Sequence, residues 1–109
     1  MRILEIGPDS FPSTYQSLST SINVQWDTLD VKYNPNLTYS NSPEYSFPIE
    51  ADTYDVVLSA NVIEHVSRPW DWLPELARVT KPGGLVITMC PVSWIYHEAP
   101  IDCWRIYPE

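Results

Sequence analysis

Four apolar runs punctuate the chain. Arg2–Ile6 is short and rich in Ile and Leu. Val24–Val31 alternates more strongly and carries an acid, Asp30, near its end. Tyr54–Ser59 and Leu85–Met89 hold three or more apolar residues in near succession. Runs of this kind, rather than strict apolar–polar alternation, predict strands covered on both faces, as in parallel α/β sheets. Helical spacing lies between them. Trp72–Thr80 is the best segment, with Leu73, Leu76, Ala77 and Thr80 on one stripe. With Asp71 as its N-cap, Pro74 falls in the first turn, where the missing N–H costs little. Pro82-Gly83-Gly84 then stops the helix and turns the chain into the last strand. Ser13–Ile22 is a weaker helix because Ser and Thr are frequent in it, and Asn61–Val66 is a short one. Residues 34–48, rich in Asn, Ser, Pro and Tyr, read as a loop with a short edge strand near Leu37–Tyr39.

The order strand, helix, strand, loop, strand, helix, strand, joined by right-handed crossovers, predicts one parallel sheet. Neither a repeat nor a linker divides the chain, so residues 1–109 read as a single domain. Ligands of such sheets bind beyond the carboxyl ends of the strands, near the switch point of strand order. Gly7–Ser10, Asp30, Ser59–Asn61 and the segment from Pro91 onward are therefore expected to converge.

Composition narrows the ligand. A hydrophobic content of 44% argues against disorder, and 11 prolines against 3 glycines argue for stiff connections. The formal net charge of −8 makes nucleic acid an unfavourable partner but does not oppose a cationic ligand. Glu5 interrupts the amino-terminal apolar run too early for a signal peptide, and no apolar run is long enough to cross a bilayer, so no membrane association is expected and the expected location is cytoplasmic. Cys90 and Cys103 do not make a disulfide framework. With His65 and His97 they lack metal-site spacing, so no metal is expected.

Glu5-Ile6-Gly7 closes the first strand and Asp30 closes the second. This is a generic arrangement for an adenosine ligand: a glycine admits close backbone approach, and an acid accepts hydrogen bonds from ribose hydroxyls. Gly7 is followed by Pro8-Asp9-Ser10-Phe11-Pro12, without the further glycines of a dinucleotide fingerprint, and Asp9 would repel a phosphate. The pattern disfavours nicotinamide and flavin dinucleotides and tolerates S-adenosylmethionine, which has no phosphate. A buried turn glycine with two solvated acids explains these residues equally well.

The later residues shift that balance. The run from Phe47-Pro48 through Tyr54-Asp55-Val56-Val57-Leu58-Ser59-Ala60-Asn61 to Glu64-His65-Val66 closely resembles the central block of class I S-adenosylmethionine-dependent methyltransferases. Leu76-Ala77-Arg78-Val79-Thr80-Lys81-Pro82-Gly83-Gly84-Leu85 resembles the helix, turn and strand that follow it. The resemblance extends from Arg2 to about Met89 and is nearest to the small-molecule methyltransferases often labelled type 11. It implies a Rossmann-like, doubly wound, mostly parallel sheet and S-adenosylmethionine as cofactor. It further implies that Glu5, Gly7 and Pro8 border the cofactor, that Asp30 holds the ribose, and that Asn61 lies beside the methionine portion. The family often has an adenine-contacting acid after its third strand; the nearest positions here are Asn41, Ser42 and Glu44.

Glu64-His65 is a landmark of the same family. His65 has the ordinary pKa of a general base; a plain hydrogen-bonded helix residue is the alternative. Residues 91–109 are expected on the substrate side. Some methyltransferases carry a segment similar to His97, Pro100, Asp102, Trp104 and Arg105. There His97 would take a proton, Asp102 orient it and Arg105 bind an anionic acceptor, or an Asp102–Arg105 pair would simply fix the loop. The family generally continues with two further strands, so the expected sheet lacks its last two and leaves an apolar edge. The expected function is methyl transfer to a small-molecule acceptor, with a dimer or partner chain covering that edge. The alternative is a non-catalytic interaction module, or an inactive fragment, that keeps the fold.

Overall fold

The computed structural model describes residues 1–19 and 23–89. Strands β1 (Arg2–Ile6), β2 (Gln25–Leu29), β3 (Tyr54–Ala60) and β4 (Thr80–Met89) form one parallel sheet in the order β2-β1-β3-β4. Leu4, Glu5 and Ile6 are buried in succession, as a central strand covered on both faces requires. After β1 the chain crosses to one side for β2 and to the other for β3. The switch point therefore lies between the carboxyl ends of β1 and β3, just below Gly7 and Asn61.

Helix α1 spans only Thr14–Leu18. Ser13 caps it by accepting the Gln16 N–H at 3.0 Å, and Asp9 accepts the Thr14 N–H and hydroxyl at 3.0 and 2.6 Å. The helix expected over Ser13–Ile22 gives way to extended backbone at Ser19, since no α1 residue is buried to compensate the low propensity of its Ser and Thr; the last three expected positions lie outside the described residues. The expected helix over Asn61–Val66 is a single 3-10 turn, Ile63–His65.

Helix α2 covers Pro69–Val79. It starts two residues before the expected Asp71 cap, with Pro69 in the first turn, where its fixed φ suits helix entry. Pro74 consequently lies inside the helix, which forgoes one backbone bond there. The buried stripe is Trp72, Glu75, Leu76 and Val79; Leu73 and Ala77 face outward, a correction to the expected face.

The edge strand expected at Leu37–Tyr39 is a single parallel bridge between Leu29 and Tyr39. Threonine hydroxyls replace part of a ladder: Thr28 N–H donates to Thr38 Oγ1 at 3.0 Å and Thr38 N–H to Thr28 Oγ1 at 3.1 Å. A buried polar cluster ties this loop to the sheet. Tyr54 donates its hydroxyl to Asp27 at 2.7 Å, lies 3.0 Å from the Tyr39 hydroxyl, and has the Arg2 guanidinium over its ring. Burial, followed by these two partners, pushes the Tyr54 hydroxyl far above the ordinary tyrosine range.

β4 begins at Thr80, which pairs with Tyr54; pairing then resumes at Leu85 opposite Val56. Pro82-Gly83-Gly84 thus forms an irregularity within the strand rather than a turn before it. Gly83 has φ of 80°, and a Cβ on Gly84 would stand 2.7 Å from the Asp55 carbonyl oxygen, so only glycine fits between the strands there.

Candidate functional site

Two adjoining cavities open at the switch point, and Gly7 and Asn61 line both. Gly7 leaves β1 with φ of 66° while its N–H donates to the Leu29 carbonyl at 2.8 Å. Asn61 leaves β3 with φ of 59°, in the left-handed region asparagine tolerates better than most residues, and its N–H donates to the Met89 carbonyl at 2.6 Å. Both left-handed residues thus stand at strand ends where the two cavities meet.

The first cavity has a volume of about 230 Å³. Phe47, Val62 and Trp72 supply apolar walls, while Asp30, Lys32 and Glu44 stand among its polar lining. Whole ligand pockets run to roughly 300–1,000 Å³, so this one seats part of a ligand. The second cavity, about 240 Å³, lies on the α1 side and is lined by Glu5, Asp9, Thr14, Tyr15 and Ala60 beside the shared pair.

Among the expected site residues, Gly7, Asp30, Asn61 and His65 meet at the first cavity. Asp30 is half-buried and accepts the Lys32 N–H at 3.4 Å through Oδ1. Glu5 borders the second cavity with only 2% of its surface exposed. Its Oε1 accepts the Ser13 hydroxyl and, at 3.1 Å, the Trp26 indole N–H. Burial raises the Glu5 pKa above the ordinary glutamate value; the Ser13 and Trp26 hydrogen bonds pull the other way, and the Asp9 charge raises it further. Pro8 lines neither of these cavities. Asp9 lines the second cavity while it caps α1 through Thr14, and the Ser10 hydroxyl donates to the Pro12 carbonyl at 2.9 Å. Ser59 is buried, with Oγ lacking a hydrogen-bond partner.

His65 is half-buried, with Nε2 3.7 Å from Glu64 Oε1; Glu64 is itself only 3% exposed. Of the three candidate adenine-side positions, Glu44 lines the first cavity and Asn41 and Ser42 do not. Sequence reading did not single out Phe47, Val62 or Lys32 as lining residues. Trp72 is 2% exposed and lines the cavity, while Trp70 is 61% exposed. Residues from Pro91 onward, with His97, Asp102 and Arg105, lie outside the described residues. No three His, Cys, Asp or Glu side chains among the described residues cluster as a metal would require, and no helix among them is long and apolar enough to cross a membrane.

Comparison with known proteins gives a consistent result. A family model described as a methyltransferase domain matches residues 18–88. An uncharacterized methyltransferase of Mycobacterium bovis (strain BCG / Pasteur 1173P2) is 55% identical over 42 residues, covering 38% of this chain and 16% of the relative. An uncharacterized methyltransferase of Mycolicibacterium vanbaalenii is 34% identical over 88 residues, covering 74% of this chain and 34% of the relative. The chain thus spans about a third or less of the length of these two relatives. Among solved structures, a SAM-dependent methyltransferase from Aquifex aeolicus aligns with a TM-score of 0.61 at 24% identity, over 75% of this chain and 52% of that one. A complex between the Haloferax volcanii Trm112 methyltransferase activator and the putative methyltransferase aligns with a TM-score of 0.60 at 21% identity, over 76% and 42%. The chain belongs to the methyltransferase domain family and has the Rossmann-like fold of the class I S-adenosylmethionine-dependent enzymes.

Proposed function

We propose that this chain forms the cofactor-binding part of an S-adenosylmethionine-dependent methyltransferase that acts in the cytoplasm on a small-molecule acceptor. The observation that carries the reading is the pair of cavities meeting at Gly7 and Asn61. A nucleoside joined to an amino acid needs two such compartments. The residues fit: the first cavity offers apolar walls with Asp30 for ribose hydroxyls and Glu44 for the adenine amino group. The second offers Glu5 and Asp9 for a cationic amino-acid end. No phosphate needs a place, in keeping with the reduced glycine loop.

S-adenosylmethionine supplies a methyl group already activated on a sulfonium. What the chain's own residues contribute is alignment and exclusion of water. Gly7 and Asn61 let the backbone approach the ligand, and Phe47, Val62 and Trp72 close the apolar side. His65 lines the same cavity and is the described candidate for taking a proton from an acceptor that must lose one. On the acceptor side the reading rests on sequence: His97 as a second base, oriented by Asp102, with Arg105 for an anionic acceptor.

Amide chemical-shift mapping tests the proposal. S-adenosylmethionine should move Gly7, Asp30, Asn61 and Val62, and NADH should not. Absence of shifts at millimolar S-adenosylmethionine, or equal shifts with NADH, would contradict it.

A second reading, an interaction module, is favoured by β4. Leu85, Val86 and Ile87 are 60%, 40% and 40% exposed on a strand that pairs only with β3 among the described residues. The Haloferax structure holds an activator chain beside its methyltransferase. A β4 edge covered by further chain or by a partner is compatible with either reading. A concentration-dependent dimer abolished by Val86→Lys would favour the module.

A further inference from the structure

We propose that Glu75 and Arg78 are positioning residues for the ligand cavity, acting through the backbone of Phe47; this rests on the reading of the first cavity as the nucleoside site. Phe47 is 5% exposed and forms a wall of that cavity, yet it belongs to none of the four strands. Its two backbone polar groups therefore need partners from elsewhere. One turn of α2 provides both. Phe47 N–H donates to Glu75 Oε2, and Arg78 Nη2 donates to the Phe47 carbonyl at 3.3 Å.

The two side chains also hold each other. Arg78 Nε and Nη2 donate to Glu75 Oε1 and Oε2, both at 2.7 Å, a two-point fork that fixes each plane. The Arg78 hydrogen bonds, with a smaller contribution from the Phe47 N–H, hold the Glu75 carboxyl below its ordinary pKa against the opposing effect of burial. A second tie joins the same loop to the start of α2: Arg68 N–H donates to the Tyr45 hydroxyl at 3.1 Å, and the Arg68 guanidinium lies over the Tyr45 ring. The loop that supplies Glu44 and Phe47 to the cavity is thus suspended from α2 at two points. Glu75 sits on the buried stripe of α2, where an apolar residue would pack as well but could not hold Phe47.

The test combines amide hydrogen exchange with calorimetry of S-adenosylhomocysteine, using the whole chain. In Glu75→Ala the Phe47 amide should exchange at least about tenfold faster while the Val57 amide in β3 keeps its protection. Affinity for S-adenosylhomocysteine should fall at least about fivefold. Glu75→Gln, which keeps an acceptor for the amide, should recover part of both. The loss in the Phe47→Leu, Glu75→Ala double variant should be smaller than the product of the single losses, because both act on one ring; a purely global effect of Glu75 would multiply. A freed Phe47 amide with affinity within twofold of the unaltered chain would overturn the proposal and leave the cavity reading intact. An unaltered chain that does not bind S-adenosylhomocysteine would remove the nucleoside reading and this proposal with it. If Glu75→Ala does not fold, Arg78→Lys, which keeps the charge but not the fork, carries the same comparison, and unchanged affinity there overturns the proposal.

Discussion

Gly7 and Val62 meet so closely that a Cβ added to Gly7 would stand 2.8 Å from Val62 Cγ2. The contact joins the end of β1 to the segment after β3, and both residues line the first cavity. With φ of 66°, Gly7 has a second reason to be glycine. Gly7→Ala should destabilise the fold by about 1–3 kcal/mol through strain and displaced Val62. It should also weaken nucleoside binding. Urea denaturation and ligand titration read the two effects; a variant of unchanged stability and affinity would contradict the geometry.

Asp30 stands at the cavity beside Lys32 with one oxygen accepting the Lys32 N–H. If it holds ribose hydroxyls, Asp30→Ala should remove charge-assisted hydrogen bonds worth about 1.5–3 kcal/mol, roughly ten- to a hundredfold in affinity. Stability should change little, since Asp30 is not in the core. 2′-Deoxyadenosine and adenosine should bind the variant alike and the unaltered chain differently.

Glu5 provides a pH signature. Its raised pKa means that the folded chain holds the proton more tightly than the unfolded chain. This carboxyl therefore favours the fold fully at pH values below the unfolded glutamate pKa, and that contribution is lost as pH rises through the folded value. Because the Trp26 indole donates to Glu5, Trp26 fluorescence should titrate with a midpoint above the ordinary glutamate value. The transition should vanish in Glu5→Gln. A midpoint at or below the ordinary value would show that the carboxylate is stabilised rather than penalised.

Tyr54 and Asp27 hold the loop side of the sheet. Tyr54→Phe removes the donor at 2.7 Å and leaves a buried carboxylate oxygen short of a partner, at a cost of about 1–3 kcal/mol. Tyr39→Phe should cost less, because Asp27 keeps its Tyr54 donor. Thermal denaturation of the two variants should rank them in that order.

These features differ in how far the amino-acid sequence disclosed them. The strands were legible because Arg2–Ile6 and Tyr54–Ala60 are covered on both faces, which writes itself as continuous apolar sequence. Gly7, Asp30 and Asn61 were legible because they sit at strand ends, where topology alone assigns them to one place. The start of α2 was misplaced because Asp71 is a good cap in isolation, whereas Pro69 begins the helix with Arg68 as its cap and the Arg68–Asp71 ion pair forms one turn on. The expected stripe followed the apolar residues Leu73, Leu76 and Ala77, and Glu75 was left off the buried face because a charged side chain reads as solvated. Phe47 was hidden for a different reason: its place depends on side chains 28 and 31 residues away, and no local pattern records such a contact.

Calorimetric titration of the chain with S-adenosylhomocysteine, beside Asp30→Ala, tests the cofactor reading most directly. One saturable site, weakened at least about tenfold in the variant, is the expected result. Absence of binding heat at millimolar ligand, confirmed at a second temperature, or equal affinity in the two proteins, would contradict it.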